Sequence, residues 1–262
     1  MGKRSRYEPG TFCWVDLATT DPAGAANFYG ALFGWQTEDI AGGEGGTYTM
    51  FHLDGEQICA LYEIEPGRRE QGVPPHWSSY VGVEDVDATS SRARELGGTV
   101  LGEPREVLDM GRMAVIADPA GATFASWEPR TWAGAGRVND PNCFAWNDLQ
   151  TRDPRAAMDF YSSLFGWEML PMEENGELAY VVLRNAGLSN GGIMPMDERH
   201  GDVPPYWLVY FVVHSCDETV SRTRELGGEV LAEPMEIGAG RISVLKDPQG
   251  AVFAIFEGET DE

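Results

Sequence analysis

The sequence is poor in basic residues. Its 262 residues include 19 Lys and Arg against 42 Asp and Glu, which gives a formal net charge of −23 at pH 7. Nucleic acids and anionic lipid surfaces repel a protein surface of this sign. We therefore expect a small-molecule ligand and neither nucleic acid nor a membrane among the partners.

Cysteine is also scarce, and no two cysteines have the CxxC spacing of zinc or redox sites. The four are Cys13, Cys59, Cys143 and Cys216. No run of about 18 apolar residues is present that would cross a membrane, and no apolar segment follows the basic residues near the start, as a secretory signal requires. These absences predict a cytoplasmic protein with reduced, buried thiols.

What the sequence does contain is an internal repeat. Residues 14–17 (WVDL) return as 146–149 (WNDL), and residues 32–35 (LFGW) return as 164–167, in both cases 132 positions later. The offset falls to 130 and then to 129 further along the chain, at Gly-rich or polar connections, where loops tolerate deletions. The chain is therefore one module that has been duplicated.

Each module repeats a shorter unit. A strand at 12–17 leads into a helix capped by Asp21 and ended by Gly34, and three strands follow. The same order begins again with a strand at 77–83 and a helix that starts at Asp85 or Asp87. We therefore predict an α+β fold of four βαβββ units, two in each module.

The predicted boundaries follow from this repeat. Module one spans 8–130, a Gly- and Pro-marked linker spans 131–141, and module two spans 142–258. The GGEGG run at 42–46 lacks a strand-to-helix context and predicts a flexible turn between two strands.

The motifs DPxxAxxFYxxLFGW and GRxxVxxDPxGAxF occur in both modules. Together with the doubled βαβββ unit they resemble the vicinal oxygen chelate superfamily, which includes glyoxalase I, extradiol dioxygenases, and fosfomycin- and bleomycin-resistance proteins. The resemblance covers almost the whole chain and is greatest to tandem two-module proteins of actinobacteria. It implies cup-shaped sheets that bind ligands on their concave faces.

In metal-using members of that superfamily, ligands come from the first strand, the strand that opens the second unit, and the last strand. The resemblance places these positions at Trp14, Ser78 and Ala125 in module one, and at Trp146, Leu208 and Ala254 in module two. None is His, Glu or Gln, the residues that hold the metal in such sites. A shifted alignment would add only His76, in module one. The resemblance therefore implies no metal and no other cofactor.

Strand alternation puts Asp16 and Asp148 on the same faces as Trp14 and Trp146. A carboxylate on an apolar face is costly unless it is paired or hydrogen-bonded. These two are either structural, with backbone groups or Arg112 and Arg241 as candidate partners, or they bind the ligand or act as general acid or base. The indoles either fill the cups or form walls for a flat ligand. The other candidate ligand-binding residues are Ser78, Tyr80, Ala125, Trp127, Leu208, Tyr210, Ala254 and Phe256.

Three functions follow as hypotheses. The first is a metal-independent, bleomycin-resistance-like protein that binds an apolar or aromatic metabolite or antibiotic. The second is a cofactor-free enzyme of natural-product metabolism (an isomerase, cyclase or lyase) with Asp16 or Asp148 as acid or base. The third is a metal-dependent glyoxalase I-like lyase. We expect a monomer or weak homodimer, because tandem modules supply internally what single-module relatives obtain by pairing two chains.

Overall fold

A computed structural model describes residues 2–41 and 46–260, so most of the predicted turn at 42–46 lies outside the described residues. Within these ranges the chain forms two eight-stranded sheets, one from each module. The strands and long helices follow the order of four βαβββ units, which confirms the predicted α+β class. No helix in the described ranges is long and apolar enough to cross a membrane.

Sheet one has the strand order β2-β3-β4-β1-β5-β8-β7-β6. Its strands are β1 (Phe12–Thr19), β2 (Gln36–Ala41), β3 (Thr47–Leu53), β4 (Glu56–Glu63), β5 (His76–Gly82), β6 (Thr99–Val107), β7 (Gly111–Ala117) and β8 (Thr123–Pro129). Strand β1 pairs in parallel with β4 and antiparallel with β5. The first strands of the two units therefore meet in the middle of the sheet.

Sheet two repeats this order as β10-β11-β12-β9-β13-β16-β15-β14. Its strands are β9 (Phe144–Thr151), β10 (Glu168–Glu174), β11 (Glu177–Asn185), β12 (Leu188–Pro195), β13 (Tyr206–Val212), β14 (Glu229–Ile237), β15 (Gly240–Lys246) and β16 (Val252–Gly258). The helices are α1 (Pro22–Phe33), α2 (Pro66–Glu70), α3 (Val86–Glu95), α4 (Pro154–Phe165) and α5 (Cys216–Glu225), with a 3-10 turn at Glu198–His200. The short α2 and the 3-10 turn were not predicted.

The helix boundaries follow from their capping residues. The Asp21 side chain accepts from the backbone N–H of Gly24, and Gly34 ends α1 with a left-handed φ of 75°. The third helix begins at Asp85, whose carboxylate accepts from the Ala88 N–H, and not at Asp87.

The inner faces of the two sheets pack against each other and share one apolar core. The Trp77 ring on β5 lies 5.0 Å from Phe211 on β13, and Phe12 lies 5.1 Å from Trp207. Trp77 and Trp207 therefore belong to the core. The core is continuous across the two modules, so packing does not mark where one module ends and the next begins. The module boundaries at 130 and 142 therefore stay predictions.

The repeated FY and DP motifs meet across the two modules. The Tyr29 hydroxyl on α1 donates to Asp247 Oδ2 of module two at 3.0 Å and accepts from the Trp77 indole N–H at 3.0 Å. The mirror arrangement joins Tyr161, Asp118 and Trp207. Burial raises the pKa of both aspartates. Each module thus inserts a helix tyrosine into a buried turn of the other.

Candidate functional site

The face of each sheet that points away from the other module carries the predicted site residues. Cup 1 is the set Trp14, Asp16, Ser78, Tyr80, Ala125 and Trp127. Cup 2 is the set Trp146, Asp148, Leu208, Tyr210, Ala254 and Phe256. Strand register places these residues side by side: in cup 2, Trp146 is opposite Tyr210, and Tyr210 is opposite Ala254.

In cup 1 a carboxyl group is held by two phenols. The Tyr80 hydroxyl donates to Asp16 Oδ2 at 2.6 Å, and the Tyr48 hydroxyl donates to the same oxygen at 3.0 Å. Tyr48 also accepts from the Trp14 indole N–H at 2.9 Å. The Asp16 side chain is 1% exposed. Its environment is therefore dry, and its partners are neutral.

Burial raises the pKa of Asp16 to about 6, and the hydrogen bonds from Tyr80 and Tyr48 oppose this rise. The neighbouring Ser78 hydroxyl also favours the ionised form, but it makes no hydrogen bond to Oδ1. That oxygen is buried and has no partner among the described residues. An unpartnered buried oxygen favours the protonated acid, because the charged form would be more costly there.

Cup 2 repeats the network with one difference in wiring. The Tyr180 hydroxyl donates to Asp148 Oδ1 at 2.6 Å, and the Trp146 indole N–H lies 2.9 Å from both that oxygen and the Tyr180 hydroxyl. Burial raises the pKa of Asp148, opposed by hydrogen bonds from Tyr180, Tyr210 and Trp146. Here the indole contacts the carboxylate directly, whereas Trp14 reaches Asp16 only through Tyr48.

Glycine at position 192 makes room for this network. A Cβ there would lie 1.8 Å from Tyr180 Oη and 2.4 Å from Asp148 Oδ1, which no side chain permits. The residue at the matching position of module one is Ala60, which is fully buried opposite Asp16. The two networks therefore differ in packing although their hydrogen-bonding groups match.

Cup 1 is filled by the chain itself. The Trp132 indole of the linker lies edge-to-face against Trp14, with ring centroids 4.6 Å apart, and against Trp127 at 5.3 Å. Trp14 is 1% exposed and Trp127 is 3% exposed, and both belong to the main core. No free aromatic wall remains at this position.

Cup 2 is open. Its floor is a separate apolar cluster of Leu208, Tyr210 and Ala254, and half-buried apolar residues surround it. These are Trp146, Tyr206, Ile242, Val244, Val252 and Phe256. In the described part of the chain, no aromatic ring lies against Trp146 as Trp132 lies against Trp14. Cup 2 therefore presents an aromatic-lined apolar face with a buried carboxyl group beneath it.

Two surface clefts lie outside this face. One is next to His214 and Glu257, and the other is beside Trp132 and Gln57. Neither cleft is lined by a buried carboxyl group. The open face of cup 2, which has a buried carboxyl group beneath it, is therefore the better candidate site.

The hypothesis that Arg112 and Arg241 neutralise the buried aspartates is wrong. Arg112 Nη1 donates to Asp87 Oδ2 at 2.6 Å, and Arg241 Nη1 donates to Asp217 Oδ2 at 2.8 Å. Both arginines thus bind acidic residues on a helix of their own module, α3 for Arg112 and α5 for Arg241. The groups that bond Asp16 and Asp148 are uncharged, so their hydrogen bonds oppose but do not cancel the rise in pKa that burial causes.

The residues that the resemblance places at the superfamily's metal positions do not fit a divalent ion. The three positions of cup 2 offer only an indole and aliphatic side chains, and those of cup 1 add one hydroxyl, from Ser78. His76 lies near cup 1, but it is alone and its Nδ1 lies 2.8 Å from the Pro74 carbonyl. Across residues 2–41 and 46–260, no three His, Cys, Asp or Glu side chains converge as a metal site.

The four βαβββ units, paired into two eight-stranded sheets, define a tandem two-module protein. The family described as "Glyoxalase/Bleomycin resistance protein/Dioxygenase superfamily" matches residues 11–125, and the "Glyoxalase-like domain" family matches residues 146–256. The chain belongs to this superfamily, as its motifs predicted.

Similar proteins extend over the full length of the chain. It is 41% identical to "Putative glyoxylase CFP32" of Mycobacterium tuberculosis, over 98% of each chain. It is 36% identical to "Anthracycline biosynthesis protein DnrV" of Streptomyces peucetius, over 97% of this chain and 95% of the other. Natural-product metabolism is therefore represented among its relatives.

Solved structures share the fold at low sequence identity. The Mn(II)-bound glyoxalase from Novosphingobium aromaticivorans is 16% identical with a TM-score of 0.66, over 99% of this chain and 85% of that one. The 2,3-dioxygenase LapB from Pseudomonas sp. KL28 is 13% identical with a TM-score of 0.67, over 98% and 96% of the two chains. These likenesses establish the fold alone.

Sequence reasoning missed three kinds of site residue. Tyr48 and Tyr180 stand at the same offset of 132 as the two tryptophans, so that repeat could have found them. Trp132 lies in the predicted linker, where only its contacts reveal a role. Gly192 is one of 32 glycines, and no sequence signal separates it from the rest.

Proposed function

We propose that the protein binds an apolar or aromatic small molecule on the open face of cup 2, without a metal. The observation that carries this proposal is the partly exposed set of apolar residues around Trp146 and Phe256, above a floor that lacks metal ligands. Binding sites for small molecules are typically apolar with a few placed polar groups. The carboxyl group of Asp148 and the hydroxyl of Tyr180 would supply these.

The apolar face of cup 2 extends to the edge of its sheet. Phe256 is opposite Ile242, and Ile242 is opposite Met235 on the edge strand β14, so an apolar row runs out from the floor of cup 2. Met235 is 48% exposed, and its flexible side chain adapts to different ligand outlines. In module one the matching edge residue is Arg105, which ends the apolar row.

The names of two relatives suggest the probe. DnrV and DauV are named anthracycline biosynthesis proteins, and anthracyclines are fused planar rings with an apolar body and polar edges. A ligand of this shape suits a face with edge-on aromatic contacts, which prefer offset or perpendicular rings. We therefore take a polycyclic aromatic metabolite as the ligand class.

Calorimetric titration with an anthracycline tests this proposal. The wild-type protein should bind with saturation, and Trp146→Ala should weaken binding at least tenfold, as aromatic anchors at interfaces do. Met235→Ala should weaken it less, and the matched change Arg105→Ala in module one should not alter it. The absence of saturable binding, or full affinity in Trp146→Ala, would reject the site.

A second candidate function is supported by the buried carboxyl group of Asp148. Its pKa is raised by burial, and it lies beneath an apolar face with phenol donors around it, as a general acid or base requires. Cup 2 would then isomerise, cyclise or dehydrate its ligand by proton transfer at Asp148. Asp16, sealed under Trp14 and Trp132, could not reach a ligand.

Asp148→Asn separates binding from catalysis. If the protein is an enzyme, this variant should bind ligand and lose turnover, whereas Asp16→Asn should keep turnover. Unchanged product formation by Asp148→Asn would remove the catalytic candidate and leave the binding function.

We further propose that the protein is cytoplasmic and is a monomer or weak dimer. Light scattering of the purified protein tests the oligomeric state. The four thiols are free and buried, in agreement with a reducing compartment.

A further inference from the structure

The indole of Trp132 occupies cup 1 as a bound aromatic molecule would. It contacts Trp14 and Trp127 at interplanar angles of 84° and 81°, the perpendicular arrangement that aromatic pairs favour. Its N–H donates to Gln57 Oε1 at 2.8 Å, so its polar atom is satisfied as well. The ring therefore has both the apolar and the polar contacts of a recognised ligand.

The chain on either side holds this ring in place. Before it, the Trp127 indole N–H donates to the Trp132 carbonyl at 3.2 Å. After it, the Ala135 N–H donates to the Cys13 carbonyl at 2.9 Å, and the Gly136 N–H donates to the Gln57 carbonyl at 2.7 Å. These bonds anchor the linker to β1 and β4.

Two further contacts show that the linker is fitted closely to module one. Gly134 has a φ of 130°, and a Cβ there would lie 2.3 Å from the Cys13 carbonyl oxygen, so only glycine allows this approach. The Tyr7 hydroxyl donates to the Ala135 carbonyl at 2.6 Å. The linker is thus a built part of cup 1.

Module two has no counterpart of this ring in sequence. Trp132 follows Trp127 by five positions, and the residue five positions after Phe256 is Asp261, which lies outside the described residues. Aspartate is not aromatic and cannot supply an equivalent ring. The two cups therefore share their walls and differ in the residue that follows the last strand.

We propose that Trp132 is the resident occupant of an aromatic-ring site in cup 1, and that removing its indole opens this site to a free planar aromatic molecule of the same size. One consequence is that the wild-type chain binds a single ligand, in cup 2. This consequence rests on the proposed function. The opening of cup 1 does not, because it concerns the chain's own indole.

Complementation of Trp132→Ala with free indole tests the proposal in the full-length protein. Loss of the indole leaves a ring-sized void and should lower Tm on the order of 5–10 °C. Millimolar indole should then raise the Tm of this variant by several degrees more than it raises that of the wild type. Calorimetry should find one more indole site per chain in the variant than in the wild type.

Trp146→Ala is the matched control, because it removes the same side chain from the open cup. Its Tm should respond to indole no more than that of the wild type, since no closed ring site is created. A folded Trp132→Ala protein that gains no more from indole than the wild type would overturn the proposal. An equal gain in Trp146→Ala would overturn it too.

Trp132→Leu covers the case in which the alanine variant does not fold. Leucine keeps apolar bulk in cup 1 and leaves a smaller space, so the probe becomes benzene, which enters dry apolar cavities of protein cores. Benzene should stabilise this variant more than the wild type, and no difference would contradict the proposal. Failure of the wild type to bind an anthracycline would reject the function proposed for cup 2 and leave these results unaffected.

Discussion

Cup 1 and cup 2 carry the same polar network but have different surroundings. Each has a tryptophan, an aspartate two residues later, and two tyrosines that hold the carboxyl group. In cup 1 a linker indole completes the packing, and the residues join the main core. In cup 2 the same positions form a separate, partly exposed cluster. The same positions are therefore packed into the interior in cup 1 and form a partly exposed apolar face in cup 2.

The largest difference between the cups should be in stability. Trp14→Ala removes a fully packed indole and should lower the free energy of unfolding by about 3–5 kcal/mol. Trp146→Ala should cost markedly less, because its indole is partly exposed. Urea denaturation of both variants measures this. Equal losses would mean that the cups are packed alike.

The second effect concerns the charge on Asp16. Its pKa rises from 3.8 to about 6 on folding. Between pH 3.8 and about pH 6 the folded protein keeps a proton that the unfolded chain has lost. Raising the pH through this range therefore lowers the free energy of unfolding, by up to about 3 kcal/mol. The free energy of unfolding of Asp16→Asn, compared with that of the wild type, should therefore increase as the pH is raised from 4.5 to 7.

Urea denaturation at both pH values checks this, and Asp87→Asn is the control, because the pKa of Asp87 is shifted in the opposite direction. A hydrogen bond from Arg112 lowers the pKa of Asp87, so its contribution is present above the unfolded pKa and lost as pH falls. Asp87 is ionised in both the folded and the unfolded chain above its unfolded pKa of 3.8, so the stability of this variant relative to the wild type should change little between pH 4.5 and 7. The same trend in both variants would contradict the assignment for Asp16.

The third effect depends on the space beside the hydrogen-bond network of each cup. Gly192→Ala should displace Tyr180 from Asp148, because the new methyl group overlaps the phenol oxygen. We expect a loss of about 1–3 kcal/mol and weaker ligand binding in cup 2. Denaturation and calorimetry measure the two. Ala60→Gly in cup 1 is the matched change and should leave ligand binding intact.

A smaller effect is expected at two contacts between the modules that should behave alike. Tyr29→Phe and Tyr161→Phe each remove a hydroxyl that bonds a buried aspartate of the other module. Each should cost about 1–3 kcal/mol, because a buried donor and acceptor lose their partner. Thermal unfolding of both should give similar losses. A large difference would show that only one of the two contacts joins the modules.

The smallest effect is expected at the arginines. Arg112→Gln and Arg241→Gln break exposed ion pairs with Asp87 and Asp217, and such pairs contribute little. We expect a Tm within the error of repeat scans and unchanged ligand binding. Weaker binding in either variant would revive a direct role for that arginine at its cup.

Much of the fold could be predicted because its signals are local. Proline and aspartate at the start of α1 and glycine at its end fix the helix whatever lies around it. Alternation along β1 and β9 put Trp14 with Asp16, and Trp146 with Asp148, on one face. The partners of these aspartates could not be predicted, since Tyr48 and Tyr180 come from strands whose pairing depends on the whole sheet.

By itself, the sequence determined the duplicated βαβββ architecture and the superfamily. Local capping and side-chain alternation depend on neighbours in the chain, so they can be read from it. Only the tertiary structure decided that Trp132 closes cup 1 and that cup 2 stays open. That difference depends on where a linker ring packs against strands far from it in sequence, and on the space left beside one glycine.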